Sequence, residues 1–186
     1  MILLRHGQSH FNVVFSVTQE DPGVIDPRLT PEGRRQIAEV AAALGARGVR
    51  RILASPYWRT LETAQILAAA LGLPVAIEPL IRERAYFTCD IGTPRSHLNG
   101  LWPEFDFGDL PERWWPDPEE SEAELMARCE RFRHQALAFD DWREVLVVTH
   151  WGFIRGLTGQ EAANGAIVPF DPTAHLSGKA DSRPSG

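Results

Sequence analysis

Only two cysteines, Cys89 and Cys129, occur in 186 residues, without C-x-x-C spacing. That is too few for a disulfide scaffold, and two free thiols are the expectation. No run of about 18 apolar residues is present, so no membrane-spanning helix and no membrane partner are expected. Surplus positive charge is also missing. A net charge of −6 argues against a general nucleic-acid binder, and an acidic chain that handles an anion must gather its cations locally. The first apolar run starts at Met1, leaving no room for a signal sequence, which makes a cytoplasmic location the expectation. Internal repeats are absent.

What is present is an alternation of short apolar runs with helical patterns. Met1–Leu4, Arg51–Ala54, Val75–Ile77 and Val145–Val148 read as strands. Ile167–Phe170 is a further strand in which Pro169 suits only an edge. Thr30-Pro31 marks a helix start, followed by Ile37, Val40, Ala41 and Leu44 at helical spacing. A second helix covers about Tyr57 to Leu71, closed by Gly72 and Pro74. A third runs from Ser121 to Phe139 with Leu125, Met126, Cys129, Phe132, Ala136 and Phe139 as its apolar stripe. The pattern predicts an α/β domain: a three-layer α/β/α sandwich with a mostly parallel central sheet.

One domain over residues 1–171 fits the length, with an aromatic-rich insertion at about 84–120 and a polar, flexible tail over 172–186. The insertion is expected to pack most of its rings onto the domain, with Trp102, Phe105, Trp114 and Trp115 as candidates to line an apolar pocket.

Arg5-His6-Gly7 follows the first strand directly. In open α/β sheets ligands bind at the carboxyl ends of strands. An arginine there suits a phosphoryl group, a neutral histidine is a nucleophile toward phosphorus, and Gly7 allows close backbone approach to a bound group. Gln8, Ser9 and Asn12 add hydrogen-bonding side chains at a helix start, a setting that favours an anion.

The run Arg5-His6-Gly7-Gln8-Ser9-His10-Phe11-Asn12 resembles the signature of the histidine phosphatase superfamily, branch 1, which includes the cofactor-dependent phosphoglycerate mutases. Ser55-Pro56-Tyr57-Trp58-Arg59, continuing to Thr63-Ala64, is similar to the superfamily's S-P-x-x-R-x-x-x-T-A motif. Thr149-His150-Trp151-Gly152 resembles T-H-x-G, with Trp151 where glycine is usual. The second branch carries an aspartate after this histidine, and none stands here. Arg28-Leu29-Thr30 and Gly33 resemble a structural L-T-x-x-G element. The resemblance implies that Arg59 clamps phosphoryl oxygens opposite Arg5, and that His150 binds the same group beside Trp151. It also implies that Glu83 is the general acid. Against that role, Arg82 and Arg84 stand as neighbours that would lower its pKa, so Glu104 and Asp26 are fallbacks.

The expected chemistry is hydrolysis of a small phosphorylated metabolite through a phosphohistidine on His6. Arg5, Arg59, His150 and Asn12 would hold the oxygens and Glu83 would serve as acid and then base, with no cofactor. A metal site built on His6, His10 and His97 or His150 lacks accompanying Cys or carboxylate ligands and sits among arginines. Phosphoglycerate mutase-type transfer and an inactive phosphate-binding regulatory module are the alternatives. The R-x-Y-G-x-L-x-G-like segment of the family's mutases is absent. Neither substrate nor oligomeric state is specified by the sequence.

Overall fold

The computed structural model describes residues 1–45, 47–116 and 119–174. Among these residues five strands form one sheet: β1 (Ile2–Arg5), β2 (Arg51–Ala54), β3 (Val75–Ile77), β4 (Val145–Thr149) and β5 (Ile167–Pro169). Their order is β3-β2-β4-β1-β5. The pairings β2–β3, β2–β4 and β1–β4 are parallel, and β5 joins β1 antiparallel at the edge. Pro169, which cannot donate to a ladder, therefore lies in an edge strand.

Among the described residues, six helices flank the sheet: α1 (His10–Thr18), α2 (Pro31–Leu44), α3 (Trp58–Leu71), α4 (Arg95–Leu101), α5 (Glu122–Leu137) and α6 (Trp151–Thr158). Side chains alternate across a strand, so each strand feeds two cores. Leu3, Leu53, Val145 and Val147 pack with Phe132 of α5 and Phe153 of α6. Leu4, Ile52, Leu146 and Val148 pack with Ile37 of α2 and Leu67 of α3. This is the α/β sandwich the pattern predicts.

The insertion is more ordered than its composition suggests. It holds α4 and a third apolar cluster in which Trp102, Phe105, Phe107 and Trp114 bury Tyr57, just before α3, and Leu61 of α3. Its spacing hides that helix because seven residues give too few turns for a periodic signal. Met126, expected on the buried stripe of α5, is 40% exposed. The buried face instead carries Arg128, at 2% exposure, beside Leu125, Cys129 and Phe132. Cys89 and Cys129 are both free and buried. No helix among the described residues is long and apolar enough to cross a membrane. Of the predicted tail, residues 175–186 lie outside the described residues.

Candidate active site

Three adjacent strands place the site. β2, β4 and β1 end side by side, so Arg59 (first turn of α3), His150 (between β4 and α6) and His6 (after β1) arrive at one sheet edge. Glu83 joins them from a 3-10 turn at Pro79–Ile81 beyond β3. A cavity of about 550 Å³ opens there, and Arg5, His6, Arg59 and Glu83 line it together.

His6 is buried and its Nδ1 lies 2.7 Å from the Gly7 carbonyl oxygen. A carbonyl can only accept, so Nδ1 carries the proton and Nε2 keeps its lone pair. Burial, reinforced by Arg59 and Arg5, holds the imidazole pKa well below its ordinary value. The ring is therefore neutral and correctly tautomerised for attack. Its backbone is pinned from the loop before β5: Gly165 N–H donates to the Arg5 and His6 carbonyls, and Asn164 Nδ2 donates to His6 O at 3.2 Å.

Gly7 is required by packing on α2. A Cβ at Gly7 would overlap the Gly33 carbonyl, and one at Gly33 would overlap Gln8 backbone. The Gly7–Gln8 backbone thus sits directly on α2. Thr30 caps that helix by accepting from Gly33 N–H at 3.0 Å, which gives the L-T-x-x-G element its structural role.

Arg59 is buried and heavily bonded. Its Nη2 meets Asp90 Oδ1 at 3.0 Å, Nη1 donates to Cys89 O at 2.8 Å and Nε donates to His150 Nδ1 at 3.2 Å. One N–H remains on each terminal nitrogen for a substrate oxygen. Arg5 Nη1 donates to Ala162 O at 2.8 Å, while its buried Nε has no partner.

His150 does not line the cavity, contrary to the expected phosphoryl contact. It is fully buried behind His6, ring centroids 5.2 Å apart. Because Nδ1 accepts from Arg59, Nε2 carries the proton and donates to Ser55 Oγ at 2.8 Å. With both nitrogens committed, His150 positions Arg59 and backs His6.

Gln8 also lies outside the cavity, its Oε1 accepting from Thr30 Oγ1 at 2.8 Å. Ser9 and Asn12 reach the cavity but form the capping box of α1, with Asn12 Oδ1 accepting from Ser9 N–H and Oγ. His10 N–H donates to Arg28 O, so the start of α1 is largely satisfied from within the protein. Trp151 and Gly152 both line the cavity.

Glu83 stands free of the arginines flanking it in sequence. Arg82 bonds Glu120 at 3.0 Å, and Arg84 pairs with Glu122 at 3.0 Å and Glu119 at 3.6 Å. Burial and the nearby Asp90 raise its pKa instead, the direction a proton donor needs. Glu83 Oε1 accepts from Arg84 N–H at 2.9 Å and also packs on Gly152, where a Cβ would overlap that oxygen. The T-H-x-G glycine makes room for the acid.

The fallback acids serve elsewhere. Glu104 is bonded to Gln65 at the surface. Asp26 accepts from Trp58 N–H, capping α3, and from Thr93 N–H and Oγ1. Burial raises its pKa to about 6, yet it does not line the cavity.

Two parts of the site escaped sequence reasoning. Asp90 sits in a stretch without periodicity, so nothing signals it. Arg128 donates to the carbonyls of Leu80, Arg82 and Glu83 at 2.7, 2.7 and 3.3 Å and pairs with Glu120 at 2.6 Å, holding the segment that carries the acid. An arginine on an otherwise apolar helix face was the available clue. The cavity rings are Phe11, Phe15, Tyr86, Phe87 and Trp151. Trp102, Phe105, Trp114 and Trp115 are instead packed in or against the third cluster. Among the described residues no group of His, Cys, Asp or Glu could hold a metal ion.

The family model of the histidine phosphatase superfamily (branch 1) matches residues 1–166, and the chain belongs to that superfamily. It is 28% identical over 173 residues to the glucosyl-3-phosphoglycerate phosphatase of Mycolicibacterium vanbaalenii, covering 85% of this chain and 72% of that protein. It is 30% identical over 155 residues to a probable phosphoglycerate mutase of Proteus mirabilis, covering 80% and 67%. The fold matches a mycobacterial glucosyl-3-phosphoglycerate phosphatase solved with VO3, at TM-score 0.62 and 23% identity over 90% of this chain and 88% of that one. The chain is thus a phosphatase or mutase of the histidine phosphatase superfamily.

Proposed function

We propose that this protein is a phosphomonoester hydrolase acting through a phosphohistidine on Nε2 of His6. The observation that carries the reading is the convergence of a neutral, Nδ1-protonated His6 with Arg5, Arg59 and a raised-pKa Glu83 in one cavity. The Nε2 lone pair forms the bond to phosphorus as the ester P–O bond breaks, and protonated Glu83 gives its proton to the departing alkoxide. Glu83 carboxylate then takes a proton from water, whose oxygen bonds to phosphorus. The P–N electron pair returns to Nε2 and orthophosphate leaves. Arg5 and the two remaining N–H groups of Arg59 stabilise the equatorial oxygens, with Asn12 and Ser9 at the rim of the same end. His150 acts through Arg59 as a positioning residue.

Hydrolysis is favoured over mutase transfer because the R-x-Y-G-x-L-x-G-like segment of the family's mutases is absent from the sequence after Glu83. No metal or organic cofactor takes part in these steps, and the reading includes a cytoplasmic, one-domain enzyme acting on a small phosphorylated molecule. Release of phosphate from p-nitrophenyl phosphate, insensitive to chelator, is the expected result. Isomerisation of 3-phosphoglycerate that depends on 2,3-bisphosphoglycerate would make the protein a mutase, and phosphate binding without turnover a regulatory module. His6→Ala should abolish turnover and the acid-labile phosphoenzyme; unchanged turnover removes the nucleophile assignment.

A further inference from the structure

Beyond the phosphoryl end, the cavity runs into a wall of rings. Phe11 and Phe15, one turn apart on α1, stack with centroids 5.2 Å apart. Phe87 closes on both, at 5.5 and 5.1 Å. Phe15, Phe87 and Trp151 are only half-buried, so their surfaces face the cavity rather than the core. Asp90 links the two ends. Its Oδ1 holds Arg59, and its Oδ2 accepts from the N–H groups of Tyr86 and Phe87 at 3.2 and 3.1 Å.

The cations at this end are paired with carboxylates, although the buried Nε of Arg155 has no partner. Arg155 pairs with Glu122 at 3.2 Å and lies over the Trp151 ring, 5.2 Å from its centroid. Arg84 pairs with Glu122 and Glu119. Among the described residues lining the cavity, Arg5 alone lacks a carboxylate within ion-pair distance, and it stands at the phosphoryl end. A second negative charge on a substrate would lose its hydration against the rings and would have to compete with Glu122 and Glu119 for Arg84 and Arg155. An aromatic group there would bury surface and stack.

From this we infer that the site selects phosphomonoesters whose leaving alcohol carries an aromatic group and no second negative charge, the ring seating against Phe15, Phe87 and Trp151. The inference rests on the hydrolase reading for its chemistry: the same displacement, with Glu83 protonating the oxygen of an arylalkyl alcohol. It sets the chain apart from phosphoglycerate-type substrates.

The test compares esters of primary alcohols, so that leaving-group reactivity is matched. 2-Naphthylmethyl phosphate is expected to exceed 3-phosphoglycerate in kcat/KM by about 30-fold or more, a discrimination typical of an apolar pocket. The double variant Phe15→Leu/Phe87→Leu should cut that ratio about tenfold. Glu122→Gln, which frees Arg84 and Arg155 from one carboxylate, should raise kcat/KM for 3-phosphoglycerate relative to the naphthylmethyl ester. In parallel, equilibrium binding of 2-naphthylmethylphosphonate and of 3-phosphoglycerate to the wild-type protein reads selectivity without turnover. Hydrolysis of both esters with a ratio near one, or favouring 3-phosphoglycerate, overturns the inference and leaves the hydrolase reading intact. Tighter binding of the arylphosphonate with no hydrolysis of any ester overturns the hydrolase reading and upholds the selectivity. Equal or weaker binding of the arylphosphonate overturns the inference in either case.

Discussion

Asp90 and Arg59 form an ion pair 3.0 Å long with both side chains at least 96% buried, exposed by only 3% and 4%. Removing one partner of such a pair leaves the other charge without compensation, which typically destabilises by about 3–5 kcal/mol. Asp90→Asn keeps the shape and removes the charge. It is expected to lower kcat/KM by about 10–100-fold through misplacement of Arg59. Because Asp90 also raises the Glu83 pKa, the alkaline limb of the kcat/KM profile, set by loss of the Glu83 proton, should move to lower pH. An unmoved limb would mean that Asp90 acts on stability alone.

Gly152 and Glu83 are matched by size. Gly152→Ala places a methyl group on Glu83 Oε1, so the carboxyl must move from its present position. General acid–base catalysis contributes about 10²–10⁴-fold, and a loss in that range is expected for alkyl phosphates. Phosphoenzyme formation from p-nitrophenyl phosphate, whose leaving group needs little protonation, should suffer less. Rapid-quench measurement of both bursts checks the difference; equal losses would point to His6 rather than Glu83 as the affected group.

His150 ties stability to pH. Burial, with Arg59 and His6 nearby, holds its pKa well below the ordinary value of 6.5. Below about pH 6.5 the unfolded chain binds a proton that the folded one refuses, so its contribution to stability declines as pH falls. Relative to His150→Asn, the wild-type protein should lose about 1.4 kcal/mol per pH unit below that point. Urea denaturation between pH 7.5 and 5.5 measures it, and parallel curves for the two proteins would show that His150 ionises freely in the fold.

Arg128→Met leaves Glu120 buried with Arg82 as its remaining bonded partner and frees three carbonyls before the acid. A loss of about 3–5 kcal/mol is expected, or roughly 6–20 °C in Tm for a chain of this size. Activity per folded molecule should fall as well, since the Glu83 backbone loses an anchor. A lower Tm with full kcat would confine Arg128 to stability.

Local patterns were enough for the scaffold and for part of the chemistry. The apolar runs at Ile2–Leu4, Arg51–Ala54 and Val145–Val148 had one structural option in a chain this short, and each delivered its motif to a strand end. Arg5, His6 and Arg59 could be placed near strand ends for that reason, whereas Glu83 was marked only by the family resemblance. Met126 was misplaced because a stripe of apolar residues does not say where the buried arc ends. The insertion packs its rings onto the domain as expected, but Trp102, Phe105, Trp114 and Trp115 were misassigned as pocket candidates because long-range packing on Tyr57 and Leu61, absent from any window of sequence, drew them into the third cluster.

Sequence by itself determined the strands and the motifs that follow β1, β2 and β4, because those depend on periodicity and on residues close along the chain. Tertiary structure decided that His150 stands behind the site, that Arg82 and Arg84 turn away from Glu83, and that Asp90 joins Arg59 to the aromatic wall. The reason is physical: which charge pairs with which depends on burial and on distances across the fold, and residues tens of positions apart acquire those only when the chain has closed.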